Sequence, residues 1–191
     1  MQHQTRIAVF VPITWGTWDR LPLLSGAIER GVHRALGAEC ARLNVDLLAI
    51  GGIEDHVHLL LRLPATIGLS YLLKQLKGTS AHLVTHQLAP GEFFKWQGGY
   101  AAFSVSPRHL RQVADYIVNQ RHHHLTDTLL PSLEPDAEEL TPESFQSAQA
   151  DFVAAQPPSA GTSVRRLPTP LTVMTYPKEE ECPPPPPRAP T

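Results

Sequence analysis

Only two cysteines, Cys40 and Cys182, occur among the 191 residues. They stand far apart in unlike surroundings, which excludes a disulfide framework and a cysteine-rich zinc site. No stretch approaches the eighteen or so unbroken apolar residues of a membrane-spanning helix. The opening MQHQTRIAVFVPITWGTWD has neither the charged start nor the small-residue cleavage site of a secretory leader, so the expected location is the cytoplasm, with no membrane partner. No internal repeat is visible. An excess of positive charge is also missing: the formal net charge is -2, which by itself speaks against a nucleic-acid partner.

The distribution of charge changes that reading. Residues 1–125 hold 12 Lys and Arg against 8 Asp and Glu, and all 10 histidines. Residues 126–191 hold 4 against 10, with 14 of the 19 prolines. The first part is mildly basic and compatible with DNA. The acidic, proline-rich remainder cannot bury enough apolar surface to offset the entropy of ordering. The expected organisation is one domain over residues 1–130 and a disordered tail over 131–191. That tail holds a short helical stretch near Pro142 to Ala155 and a polyproline run, Pro183 to Pro187, read as a stiff spacer rather than a docking motif.

Within the domain, hydrophobic periodicity sets the order of elements. Arg6 to Thr14 reads as a strand and Trp15 to Arg20 as a turn. Leu24, Ile28, Val32, Leu36 and Leu43 recur at helical spacing within Leu23 to Leu43, just after Pro22. Asn44 to Ile53 and His56 to Leu63 read as a hairpin. Ile67 to Leu88 is a helix that Gly78 interrupts, and Tyr100 to Val105 is a fourth strand. Ser106 and Pro107 supply an N-cap and first residue for a last helix carrying Leu110, Val113, Tyr116 and Ile117. The order β-α-β-β-α-β plus a helix predicts an α+β, ferredoxin-like antiparallel sheet with helices on one face. The C-terminal helix carries the tyrosine across the other.

The densest chemistry lies in GGIEDHVHLLLRLP. In a strand, His56 and His58 point to one face, about 6–7 Å apart along a half-buried element. Two neutral imidazoles at that spacing can grip one divalent metal, although a His-x-His strand also occurs incidentally. On the last helix, Tyr116 and Gln120 are four residues apart and share a face, with His124 one turn on. Taken singly, these have ordinary readings: a core aromatic, a solvated amide, and histidines suited to a helix C-terminus.

Together, HVHLLL, then KWQGGYAAFSVS, then DYIVNQRHHH, resemble the single-tyrosine HUH transposases of small single-strand insertion sequences, with the REP-associated tyrosine transposases as close relatives. The resemblance spans roughly residues 5 to 125. It implies that Tyr116 is the nucleophile and that His56, His58 and Gln120 bind a divalent metal, Mg²⁺ or Mn²⁺. It also implies cleavage and rejoining of single-stranded DNA with hairpin ends through a 5′-phosphotyrosine, in a homodimer whose tyrosine helix acts in its own or the partner subunit. No small-molecule cofactor is implied.

The residue types suit that chemistry. A phosphodiester resists nucleophiles until its oxygens are neutralised, which a metal does as a Lewis acid. A phenol with a pKa of about 10 needs help to lose its proton. A covalent link then conserves the bond for rejoining. Lys74, Lys77, Arg108, Arg111 and Arg121 are candidate phosphate contacts, each also an ordinary solvated charge. Trp96 is a candidate base-stacking residue, whereas Tyr100 suits the core. Asp115, Glu54 and Asp55 are placed to orient ligands. His124 stays open as a further ligand, a general base or a terminal histidine. Two other functions fit the same residues: a domesticated or non-catalytic hairpin-binding protein, and another HUH endonuclease serving replication or conjugation.

Overall fold

Val11, Ile13 and Trp15 recur at every second residue and are buried on one face of strand β1, Val9–Gly16. The computed structural model describes residues 7–130 and 133–134. After β1 come α1 (Gly26–Arg42), β2 (Asp46–Ile53), β3 (His56–Leu63) and α2 (Leu69–Leu83), the last prolonged by a π-helical turn at Val84–Leu88. A short β4 (Ala101–Ala102), α3 (Leu110–Val118) and α4 (Gln120–Thr126) complete the order. The sheet runs β2-β3-β1-β4 with every neighbour antiparallel, which is the expected α+β, ferredoxin-like arrangement.

Four local expectations change. β1 continues through Trp15 to Gly16, because Trp15 stands opposite Val57 and is fully buried. β4 pairs over two residues only, with an isolated bridge from Val105 to Phe10. Gly78 does not interrupt α2. It lies in open space on the outer side of the helix, where packing of Leu72, Leu73 and Leu76 outweighs a glycine cost of about 1 kcal/mol. The tyrosine helix is not continuous to His124: it stops at Asn119 (φ -99, ψ 21), whose amide caps the Asp115 carbonyl at 2.7 Å, and restarts as α4.

Strand β3 is buried on both faces, not half-buried. Val57, Leu59 and Leu61 face Leu36 of α1 and Leu72 and Leu76 of α2 in one core. Leu60, on the histidine side, packs with Val113, Tyr116 and Ile117 of α3 in a second. A bulge between Leu47 and Ala49 lets β2 serve both, Leu47 joining the first cluster and Leu48 and Ala49 the second.

Gly51 decides how closely α3 can lie. It pairs with His58 in the sheet, and a Cβ there would sit 1.8 Å from the Ile117 carbonyl oxygen. Gly51→Ala is therefore expected to push α3 off the sheet and to cost about 3 kcal/mol, the upper range for overpacking. Urea titration of both proteins measures this; an unchanged midpoint would show that α3 has room to spare.

The chain divides into a unit over Met1–Ala160 and a second over Gly161–Thr191. The second lies wholly outside the described residues. So do the expected helix near Pro142 and the polyproline run; of residues 131–191 only Leu133 and Glu134 are described. No helix among the described residues is long and apolar enough to cross a membrane.

Candidate active site

Alternation along β3 turns His56 and His58 toward α3, where they are 0% and 2% exposed, with ring centroids 4.8 Å apart. Tyr116 reaches the same place from α3 and Gln120 from the first residue of α4; both are buried. The break at Asn119 leaves the Tyr116–Gln120 pairing in place. The Tyr116 and His58 rings meet in a T-shaped arrangement, 6.3 Å between centroids.

His124 comes in one turn along α4, its ring 5.0 Å from that of His56. Glu134 then closes the site. Its Oε2 lies 3.5 Å from His56 Nε2, 3.6 Å from His124 Nε2 and 3.9 Å from His58 Nε2. Its Oε1 accepts a 2.5 Å hydrogen bond from the Tyr116 hydroxyl, which in turn accepts from the Leu130 amide at 3.0 Å. One carboxylate thus touches the phenol and three imidazoles. Ligand atoms of His56, His124 and Glu134 all fall within 4.8 Å of one another.

These donors fit a cation. The Nε2 atoms of His56, His58 and His124, and both amide atoms of Gln120, are buried without a hydrogen-bond partner. Such groups cost about 1–3 kcal/mol each if left unpaired. A divalent ion takes imidazole nitrogen and amide oxygen together. The outer side of the site is arranged to suit. Asp55 Oδ1 is 2.6 Å from His56 Nδ1. A carboxylate only accepts, so the proton sits on Nδ1 and the Nε2 lone pair faces inward. Arg20 holds the other oxygen of Asp55 at 3.2 Å.

The environment sets the protonation states. Burial, aided by the Glu134 carboxylate and opposed by the Leu130 amide and Gln120, pushes the Tyr116 phenol above its ordinary range. Burial, then the neighbouring His56 and His124 rings and the Arg20 guanidinium, holds His58 well below the usual 6.5. Folded His58 therefore resists a proton that the unfolded chain accepts. In chelator, stability should be complete above pH 6.5 and fall as pH drops below it, approaching about 1.4 kcal/mol per pH unit for one proton. His58→Asn should flatten that slope in a pH series of thermal melts. A parallel slope in the variant would assign the titration elsewhere.

Residues 7–120 match the family model described as "Transposase IS200 like". The chain belongs to the IS200-like transposases. Two solved structures are similar to it. A REP-associated tyrosine transposase bound to a REP hairpin is 18% identical, with a TM-score of 0.50, over 65% of this chain and 74% of that one. A candidate transposase from Deinococcus radiodurans R1 is 24% identical, with a TM-score of 0.48, over 63% of this chain and 96% of the other. The first likeness concerns the fold. No match was found among the curated proteins.

In this IS200-like transposase the expected DNA-contacting residues do not form one patch. Trp96 is 6% exposed, packs edge-on against Trp15 and Phe94, and donates its indole N–H to Ser80 Oγ at 3.0 Å. It is a core residue, buried where a base does not reach its ring. Tyr100, expected in the core, is 40% exposed instead. Lys74 and Lys77 lie on α2, in the layer opposite the histidines, so they do not flank the site. Lys77 spends its ammonium on the Gln97 and Gly99 carbonyls at 3.0 and 2.6 Å, and burial lowers its pKa to about 8. Arg121 joins Glu54 at 2.5 Å and Glu29 at 2.7 Å, tying α4 to the β2–β3 turn and to α1. Arg108 is exposed at the turn before α3, and the similarly exposed Arg111 lies 3.8 Å from Asp115. Asp115 thus faces Arg111 and not the metal donors; Asp55 alone of the three expected acids touches a histidine of the site.

Sequence reasoning left His124 open and missed Glu134. His124 sits one turn beyond Gln120, so helical spacing carried a signal. Glu134 has none, because it lies past the last periodic residue in a stretch whose composition reads as tail.

Proposed function

We propose that this chain cleaves and rejoins single-stranded DNA, with Tyr116 as the nucleophile and a divalent metal, Mg²⁺ or Mn²⁺, bound by His56, His58 and Gln120. His124 and Glu134 lie within reach of the same ion. The observation that supports this most is the shared carboxylate: a phenol oxygen and three inward imidazole nitrogens meet at Glu134 within one chain. When bound, the ion supplies Lewis-acid neutralisation of the phosphate oxygens.

The protein's own groups do the rest. α3 packs the ring of Tyr116 in one cluster with Leu60 and Ile117, with its oxygen at Glu134. As the phenol attacks, the O–H bond breaks and an O–P bond forms. The bond from phosphorus to the 3′ oxygen breaks, leaving a 5′-phosphotyrosine and a free 3′ hydroxyl. Glu134 stands at hydrogen-bond distance to take the phenol proton, and the leaving oxygen gains one from water. Attack by a 3′ hydroxyl on the phosphotyrosine reverses these changes and rejoins the strand. This is the reaction a transposase requires and a simple nuclease does not.

The hairpin ends implied by the resemblance accord with the REP hairpin held by the structural relative. A homodimer, as the resemblance implies, would carry two such sites. A single-stranded oligonucleotide carrying the element's end, incubated with protein and Mn²⁺, should yield a denaturation-resistant protein–DNA adduct. Binding with no adduct under any metal would instead identify a hairpin-binding protein on the same fold.

A further inference from the structure

The turn after β1 is built onto the site. Gly16 pairs with His56, and Thr17 N–H donates to the Asp55 carbonyl at 2.8 Å. Arg20 holds the Asp55 carboxylate at 3.2 Å. Between them, Asp19 and Arg20 both adopt left-handed backbone, with φ of 49 and 55. Two consecutive non-glycine residues in that region are uncommon and persist only where surrounding contacts enforce them. Trp18 opens this turn and is left partly exposed.

Trp18 is unlike the other two tryptophans. Trp15 and Trp96 are 0% and 6% exposed and belong to the core, whereas Trp18 is 39% exposed. Its amide bonds the Lys95 carbonyl at 2.8 Å, and the Lys95 ammonium stands 3.4 Å from its ring centroid. An aromatic ring backed by a cation, on a fixed turn anchored to a metal-orienting carboxylate, suits a π-faced, negatively charged ligand.

We infer that Trp18 and Lys95 form the stacking platform for an unpaired base of the single-stranded DNA beside the phosphate that Tyr116 attacks. This rests on the proposed DNA chemistry and deepens it. The ring takes the base face with little regard to sequence, and the Lys95 charge favours the neighbouring backbone.

The native tryptophans provide the test. Only Trp18 is open to a quencher, so (dT)₁₂ should quench the intrinsic fluorescence of the full chain in a saturable way. Trp18→Leu should abolish that quench and weaken (dT)₁₂ binding, followed by anisotropy of a labelled strand, by about 5- to 150-fold, the span of one base–aromatic stack. Trp18→Phe should retain most of the affinity, and Lys95→Gln should lose part of it. A hairpin without a single-stranded arm should bind wild type and Trp18→Leu alike. Unchanged melting temperatures would show that the variants are folded. Equal (dT)₁₂ affinity for wild type and both Trp18 variants would overturn the platform while leaving DNA cleavage standing. If no oligonucleotide binds, hairpin or not, the functional reading fails and the platform with it.

Discussion

Tyr116→Phe is expected to bind single-stranded DNA as the wild type does and to form no covalent adduct. Phenylalanine keeps the ring that packs with Leu60, Val113 and Ile117, so α3 stays in place. What is lost is one oxygen, together with its hydrogen bonds to Glu134 and Leu130. Those two contacts affect stability by about 1–3 kcal/mol. The chemical loss is far larger, because the oxygen removed is the proposed nucleophile itself. Removal of a covalent nucleophile lowers rates by roughly 10⁴-fold or more, which here means an adduct below detection. A strand labelled at its 3′ end should carry its label onto wild-type protein in a denaturing gel, since the 5′-phosphotyrosine retains the downstream piece. An adduct that persists in Tyr116→Phe would remove Tyr116 from the role.

His56→Ala should lower Mn²⁺ affinity by about 100-fold or more and abolish metal-stimulated cleavage. His56 is the fully buried imidazole on which two arrangements converge: Nε2 faces Glu134 and His124, and Nδ1 is held by Asp55. Asp55→Asn tests the second arrangement separately. It keeps the size of the side chain but weakens its grip on the ring, and a 10- to 100-fold loss of metal affinity is expected, as for outer-shell partners generally. Calorimetric titration of the DNA-free protein with Mn²⁺ reads both variants without reference to turnover. Full cleavage by the wild type in chelator would refute the metal site.

Much of this was legible along the chain wherever a local period governs the outcome. β3 begins and ends at His56 and Leu63 as alternation implies, and both imidazoles share a face for that reason alone. Tyr116 and Gln120 stay together because four residues make one helical turn, even across the break at Asn119. The two tryptophans show where locality stops helping. Trp96 and Trp18 both lie in irregular segments with a lysine near in sequence or space, yet one packs on Trp15 and Phe94 and the other is left outside. Arg121 and Lys77 looked like free cations, but their partners, Glu29, Glu54 and the Gln97 to Gly99 carbonyls, lie twenty to ninety residues away.

The one-dimensional pattern by itself determined the order of strands and helices, the His-x-His face and the tyrosine–glutamine pair, because each depends on backbone geometry repeating every two or 3.6 residues. The tertiary structure alone decided that Glu134 meets Tyr116 and three histidines, that Gly51 lets α3 lie against the sheet, and that Trp18 is left exposed. Those depend on which distant surfaces bury one another, and side-chain periodicity carries no record of that.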